Sequence, residues 1–279
     1  MRAVLREPGG ATGVALIGVL LLAALVSLVW TPFDPTFVDP SASWVPPFSG
    51  GHLLGTDGNG QDLLSLLLAG ARITALTAVA ATAVASVVGV GLATAAAVGR
   101  RSGEVVSHLI DVLVALPTLL LAMVLAAVYG GSVVTAVVAI GIGTGVNVAR
   151  VGRAEMASAL GTDYVLAARA SGASTARIVR RHVLPNVGPV LLVQLSLTLA
   201  LAVLAEAALS YLGFGTPPPA PSWGRMLQEL QLYVTVHPWA VVWPGLAITA
   251  AVLGFSLLGD ALRDVTDPRL RRAVPAVVA

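Results

Sequence analysis

The sequence contains no cysteine and no lysine, and charged residues make up only 11% of its 279 positions. Without cysteine, the chain cannot hold a disulfide, a zinc–thiolate centre or an iron–sulfur cluster. Without lysine it cannot be an ordinary P-loop ATPase, because a Walker A loop places a lysine on the phosphates. A soluble domain carries about 25% charged residues, so the low charge predicts an integral membrane protein.

The sequence also lacks recognisable motifs for metal binding. The four histidines are scattered, without the spacing of metal ligands. In residues 57–68, Asp62 stands where an EF-hand calcium loop has its glycine, and Leu68 stands where it has its bidentate glutamate. We therefore predict no catalytic residue, no metal site and no cofactor in this chain. The net charge of +2 is modest and the basic residues are spread along the sequence, so nucleic-acid binding is not predicted.

Long apolar runs are what the chain does have. A membrane span needs about 20 apolar residues, and six segments qualify: 12–30, 73–98, 107–129, 132–149, 187–212 and 238–261. The first is too long for a signal-peptide core and lacks a small-residue cleavage site, so we interpret it as an uncleaved anchor. Gly141 and Gly145 form a GxxxG pair inside an apolar span, which favours close helix packing over nucleotide binding.

The arginines orient the six spans. With the N-terminus placed in the cytoplasm, Arg72 and Arg225 are the only two of the sixteen arginines that fall outside. Basic residues concentrate on the cytoplasmic side of membrane proteins. We therefore expect an all-α membrane protein of six transmembrane helices with both termini cytoplasmic.

Residues 164–186, which we call the arginine segment, form a polar stretch between the fourth and fifth spans. Its apolar positions recur at roughly helical spacing, Gly172 interrupts them, and Pro185 follows. This pattern predicts two short amphipathic helices that are joined at Gly172 and end at Pro185. On the opposite side, Asp57 or Asn59 is expected to cap a leucine-rich helix that begins near Gly60 and lies along the membrane interface.

Ionisable groups inside spans are costly and are candidates for function. Glu206 in the fifth span is either a proton or substrate site or, as we favour, a group one or two turns from the outer interface that is paired or reaches out to water. Asp111 and Asp260 are interpreted as helix-end groups that meet arginines, Arg263 among them. On the fifth span, three polar residues could line a path or hold helices together; with Glu206 they form the candidate translocation path: Gln194, Ser196, Thr198 and Glu206.

Four motifs now occur in order between residues 52 and 270. They are HLLGTD (52–57) with GQDLLS (60–65) and GAR (70–72); the arginine segment with Gly172 and RHVLPN (181–186); EAALSYLGFG (206–215) with PAPSWGRML (219–227); and WPGLAI (243–248) with LLGD (257–260), LRD (262–264) and DPR (267–269). Through these four motifs the chain resembles the permease subunits of the dipeptide, oligopeptide and nickel class of ATP-binding-cassette importers, in particular the DppC/OppC-like subunit.

The resemblance implies the type I importer permease fold in the cell membrane. It implies an anchor helix and extracytoplasmic loop over residues 1–72, and a permease core over 73–279 whose cytoplasmic EAA coupling loop spans about 150–186. Implied coupling residues are Tyr164, Ala167, Ala168, Arg169, Gly172, Ile178, Arg181, His182, Leu184 and Pro185. The implied extracytoplasmic motif consists of Gly55, Thr56, Asp57 and Asp62.

The resemblance also implies partners. They are a sister permease that completes a heterodimer, one or two P-loop ATPases that carry ATP and magnesium, and an extracytoplasmic binding protein. The chain itself is then not an enzyme but half of a translocation path for di- and oligopeptides, with nickel, heme or another small solute as the alternative. Two positions depart from the family pattern: Leu166 replaces the acid of the EAA motif, and Gln61 replaces an arginine.

A hypothesis of a different class remains open at this point. A self-contained channel or ion-coupled secondary transporter would use Glu206 as its coupling site. Such a protein would transport its solute alone, driven by an ion gradient, whereas the importer permease requires ATPases.

Overall fold

The computed structural model describes residues 4–99 and 101–266. Part of the fourth motif (267–269) and several arginines used for the orientation, including Arg269, lie outside these residues. Ten α-helices are found in the described ranges: α1 (Pro8–Val29), α2 (Leu63–Val98), α3 (Arg101–Val114), α4 (Thr118–Tyr129), α5 (Val133–Leu160), α6 (Asp163–Ala170), α7 (Thr175–Ile178), α8 (Leu184–Tyr211), α9 (Trp223–Leu230) and α10 (Pro238–Thr266). The described residues form no β-strand beyond two isolated bridges.

Five helical stretches are long and apolar enough to cross a membrane: α1, α2, α5, Thr175–Tyr211 and α10. The third predicted span is not one straight helix, because α3 and α4 meet at a bend of 86°. Pro117 lies at this break and provides its physical reason, since proline lacks the N–H that a continuous helix requires. The count of six spans therefore holds only if the bent pair is taken as one span.

The predicted leucine-rich helix is present and begins at Leu63, close to Gly60, but it is not a separate short helix along the interface. Residues 63–72 are instead the first turns of α2, which continues without a break to Val98 over 36 residues. At 1.5 Å per residue this helix is about 54 Å long and exceeds the bilayer core of about 30 Å. Its N-cap is Asp62, which accepts a hydrogen bond from the Ser65 N–H, and not Asp57 or Asn59. The expected division at residue 72 falls inside α2.

Small residues bring α2 and α5 together. A Cβ placed on Gly141 would lie 2.6 Å from Cβ of Val84, and one on Gly89 would lie 2.7 Å from the carbonyl oxygen of Gly145. Only a bare backbone allows helices to approach this closely. The GxxxG prediction of close packing is thus confirmed.

The bundle has two distinct ends. At one end a buried cluster joins Leu63 of α2, Leu209 of α8 and Trp223 of α9. At the other end a second cluster joins Ala93 of α2 with Met156 of α5 and residues of the arginine segment. The outer loops and the arginine segment therefore lie at opposite ends of the same helices.

Candidate functional site

The arginine segment folds as a helix, a tight turn and the beginning of a long helix. α6 ends in a turn where the Gly172 N–H donates to the Arg169 carbonyl at 2.9 Å and the Ala173 N–H donates to the Ala168 carbonyl at 3.0 Å. This is the Schellman arrangement, which requires a left-handed residue after the helix. Gly172 supplies it with φ of +82°, so the sequence prediction of a turn at Gly172 is confirmed.

The second half of the segment differs from the prediction. α7 passes through a π-helical turn, Val179–Val183, directly into α8, so Pro185 does not end a helix but lies in the first turn of the next. In the π turn the Leu184 N–H bonds to the carbonyl of Val179, five residues back. This wider turn precedes Pro185, whose ring would clash with a carbonyl four residues back in a regular α-helix.

One face of the arginine segment is anchored in the bundle. Val165, Ile178 and Val183 are at most 1% exposed and pack with Met156 of α5 and Leu191 of α8. This burial packs the arginine segment against the ends of α5 and α8.

The other face is open. Tyr164 and Leu166 are 45% and 51% exposed, and the Asn186 amide donates to the Tyr164 hydroxyl at 3.0 Å. Around them lie further exposed residues: Ala167, Arg169, Gly172, Arg177, Arg180, Arg181 and Pro185. Ala168, His182 and Leu184 are half-buried. No ion pair of the four arginines of this segment is found within the described part of the chain.

Two of the candidate path residues, Ser196 and Thr198, form hydrogen bonds within their own helix. The Ser196 hydroxyl donates to the Leu192 carbonyl at 3.1 Å, and the Thr198 hydroxyl donates to the Gln194 carbonyl at 2.8 Å. Both side chains are buried, and Gln194 is half-buried. Their hydroxyls are satisfied by their own helix, which suits helix packing; their role in a path stays a prediction.

Glu206 is 2% exposed and lies among hydroxyl groups. Its Oε1 accepts from Ser210 at 2.8 Å and from Ser222 at 2.9 Å, and its Oε2 accepts from Thr74 at 3.5 Å. The carboxylate therefore joins α2, α8 and the residue preceding α9. Sequence reasoning missed Thr74 and Ser222, because they lie 132 and 16 positions away.

Asp111 meets an arginine as predicted, in an ion pair of 3.0 Å with Arg153 of α5. Asp260 forms no ion pair with Arg263 in the portion that the structure describes.

The two segments between spans on the opposite side, residues 31–62 and 213–237, pack on each other, and we call them the outer cap. Trp44 stacks on His237 with ring centroids 4.2 Å apart and meets Tyr233 at 4.6 Å. A Cβ on Gly55 would lie 2.7 Å from the Trp239 ring, and its φ is +82°. The absence of a side chain at Gly55 therefore allows the backbone of the HLLGTD motif (52–57) to pack closely against α10.

The predicted motif residues hold this cap together. Thr56 accepts from the Val45 N–H at 2.8 Å and donates to the Ala42 carbonyl at 2.6 Å. Asp62 accepts from Ser65 and contacts Nδ1 of His52 at 2.9 Å. His52 was not among the predicted site residues, although it opens the same motif.

Asp57 is a second buried acid of the outer cap, besides Asp62. Its Oδ1 accepts the N–H groups of Asn59 at 2.9 Å and Gln61 at 2.8 Å. Burial raises the pKa of Asp57, and the nearby carboxylate of Glu229 adds to this, although the two N–H bonds act in the opposite direction. Gln61, in the place of the family's arginine, donates its amide to the Pro35 carbonyl at 3.0 Å instead of forming an ion pair.

Comparisons with known proteins show similarity over most of the chain. The family model described as binding-protein-dependent transport system inner membrane component matches residues 86–272. A di/tripeptide transport system permease of Pseudomonas aeruginosa is 38% identical over 95% of this chain and 89% of its own length. A putative peptide transport system permease of Brucella suis is 38% identical over 97% of this chain and 91% of its own length.

A solved structure shares the fold. It is that of the MetNI methionine ABC transporter in inward-facing conformations, with a TM-score of 0.60 and 20% identity. The match covers 72% of this chain and 97% of the solved chain. At this identity the likeness shows the fold alone, which is that of a type I importer permease.

Proposed function

Because the chain belongs to the family of binding-protein-dependent transport system inner-membrane components, we propose that it is one of two permease subunits of an ATP-driven importer of short peptides. Its partners would be a sister permease, one or two ATPase subunits and an extracytoplasmic binding protein. The observation that carries this proposal is the arginine segment, which is anchored on one face and open on the other.

The open face is suited to dock on an ATPase. Tyr164 and Leu166 offer apolar surface, and Arg169, Arg177 and Arg180 surround it with positive charge. An apolar centre with a charged rim is typical of protein interfaces. Leu166, in the place of the family's acid, makes this contact more apolar and removes one charge pair.

The anchored face would pass movement into the membrane. When the ATPases close on ATP, two docked segments approach each other, and each carries α5 and α8 with it as a rigid body. ATP drives this change only by binding the two states with different free energies. This chain has no Walker lysine, so we infer that ATP and magnesium bind to the partner ATPases and that hydrolysis takes place there.

The domain organisation follows from the same proposal. We assign residues 1–72 to an anchor helix and outer loop, and 73–279 to the permease core, with the coupling loop at about 150–186. The arginine segment and both termini would face the cytoplasm, as the arginine distribution favours. Gln194, Ser196, Thr198 and Glu206 remain the candidate residues of the path.

The peptide substrate is supported by relatives named as di/tripeptide and peptide permeases at 38% identity. Nickel, heme and other small solutes are the alternatives. Reconstitution of the complete importer with its binding protein, followed by uptake of trialanine, nickel and heme, tests this choice. Peptide-dependent uptake is expected, and uptake of a metal or heme without peptide uptake would contradict it.

The docking role is tested at Gly172. Gly172→Val places a β-branched residue at φ of +82°, which costs on the order of 1–3 kcal/mol and disrupts the turn after α6. Gly172→Asn is the matched control, because asparagine tolerates this conformation. We expect the valine variant to insert into the membrane but to lose most of its co-purifying ATPase, while the asparagine variant keeps it. Wild-type ATPase yield with the valine variant would contradict the docking role.

A further inference from the structure

The outer cap contains a cavity of about 260 Å³ that the proposed transport cycle does not use. Its walls include Trp44, Asp57, Asn59, Glu229 and Tyr233. They come from both segments of the outer cap, so the cavity exists only when the two segments are packed together. The chemistry of its walls is unusual, with two carboxylates and two aromatic rings around one small space.

Asp57 brings a buried negative charge to this cavity. The residue is 5% exposed, and its Oδ1 is occupied by the N–H groups of Asn59 and Gln61. Within residues 4–99 and 101–266, no group donates a hydrogen bond to its Oδ2. Burial raises the pKa of Asp57 and Glu229 adds to the effect. A positively charged ligand beside Asp57 would oppose both effects on its pKa, because a nearby positive charge favours the ionised carboxylate.

Aromatic rings form the other side. Trp44 and Tyr233 meet at 55° with centroids 4.6 Å apart, so that they make a corner, and Tyr233 is 43% exposed. Aromatic faces attract organic cations such as ammonium groups. A metal ion suits the site less well, because no group of three or more ligating side chains is found among the described residues.

A second cavity, of about 320 Å³, shares Asn59 and Glu229 with the first. It is lined by Arg225, whose Nε donates to Glu229 Oε1 at 2.8 Å. Arg225 lines the second cavity but not the first, and its ion pair with Glu229 lies where the two cavities adjoin. The two adjoining spaces offer negative charge at one end and positive charge at the other.

We propose that the aromatic cavity binds the primary ammonium group of a short peptide, whose remaining residues extend into the neighbouring cavity towards Arg225. This rests on the proposed function and adds to it a contact between permease and substrate outside the membrane path. The two adjoining cavities favour a peptide over a single lysine side chain of a docked protein, which would need only the first. His237 stacks on Trp44 beside the cavity.

The experiment uses the purified importer complex without its binding protein, in lipid nanodiscs, with isothermal titration calorimetry. The probes are trialanine, N-acetyl-trialanine, which lacks the ammonium group, and n-propylamine. The variants are Glu229→Gln and Tyr233→Leu, both on exposed positions that the fold tolerates more readily than a change at buried Asp57. Glu104→Gln, an exposed carboxylate on α3, is the matched control.

Trialanine and n-propylamine are expected to bind the wild type and the control, and each variant is expected to weaken both about fivefold or more. N-acetyl-trialanine should not bind. Equal binding of the acetylated peptide, unchanged binding by both variants, or no binding of either amine to the wild type would overturn the proposal. Peptide uptake by the complete importer is measured separately: if uptake fails while n-propylamine still binds at this cavity, the peptide function is wrong and the ammonium site stands.

Discussion

Replacement of Glu206 tests what the buried carboxylate does. In the structure its Oε1 accepts two hydroxyl bonds, from Ser210 and Ser222. Glu206→Gln keeps an acceptor oxygen of the same shape, so both bonds can persist. Glu206→Leu keeps the volume but removes the acceptor of both short bonds and of the longer one from Thr74, at 3.5 Å.

The magnitude follows from these two bonds. An unsatisfied buried polar group costs about 1–3 kcal/mol, which gives about 2–6 kcal/mol for the pair. Ser210 lies in a helix and can recover part of this by donating to a carbonyl one turn back. We therefore expect Glu206→Leu to destabilise the protein by about 2–4 kcal/mol, which corresponds to a melting shift on the order of 5–10 °C.

Thermal unfolding of the detergent-purified complex measures this shift. Glu206→Gln should melt close to the wild type and retain ATP-dependent uptake. Addition of Ser210→Ala and Ser222→Ala to the leucine variant should recover much of the loss, because the stranded hydroxyls are then removed. A glutamine variant that melts as early as the leucine variant, or a triple variant that recovers no stability, would contradict this role of the hydroxyl bonds. Loss of uptake in a glutamine variant of normal stability would instead favour an ion-coupling role.

Two further predictions concern packing and capping. Gly141→Ala introduces a Cβ 2.6 Å from Val84 and should destabilise the protein by about 1–3 kcal/mol. Gly91→Ala, where a Cβ would have nothing within 4 Å, is the control and should be neutral or slightly stabilising. Equal melting temperatures of the two variants would contradict the close α2–α5 contact. Asp62→Ala removes the α2 cap and the contact with His52. This loss should lower the stability of the protein by about 2–4 kcal/mol and speed up hydrogen exchange of the amides at the start of α2. Unchanged exchange there would count against this cap.

Much of this fold was predictable because the membrane imposes long apolar helices. Five stretches were found where the hydropathy placed them, and the resemblance to the importer permeases is confirmed by the family match. The turn at Gly172 was equally clear, since glycine after a short helix has few other uses. These features depend on local sequence and on the bilayer alone.

Other features depend on contacts that local sequence does not reveal. Asp57, Asn59 and Asp62 are all good capping residues, and Asp62 caps because Asp57 is engaged in the turn before it. The π turn before Pro185 compensates a proline that a regular helix would reject. The hydroxyl partners of Glu206 come from other helices and loops, and only the folded chain brings them together.

We propose above that this chain transports its solute by docking on a partner ATPase. The most direct test is uptake of labelled trialanine into proteoliposomes that contain the complete importer, its binding protein and ATP. We predict uptake that requires hydrolysable ATP, persists without an ion gradient, and is lost with Gly172→Val. Uptake by this chain alone, driven by a proton or sodium gradient and unaffected by removal of the ATPases, would contradict the account.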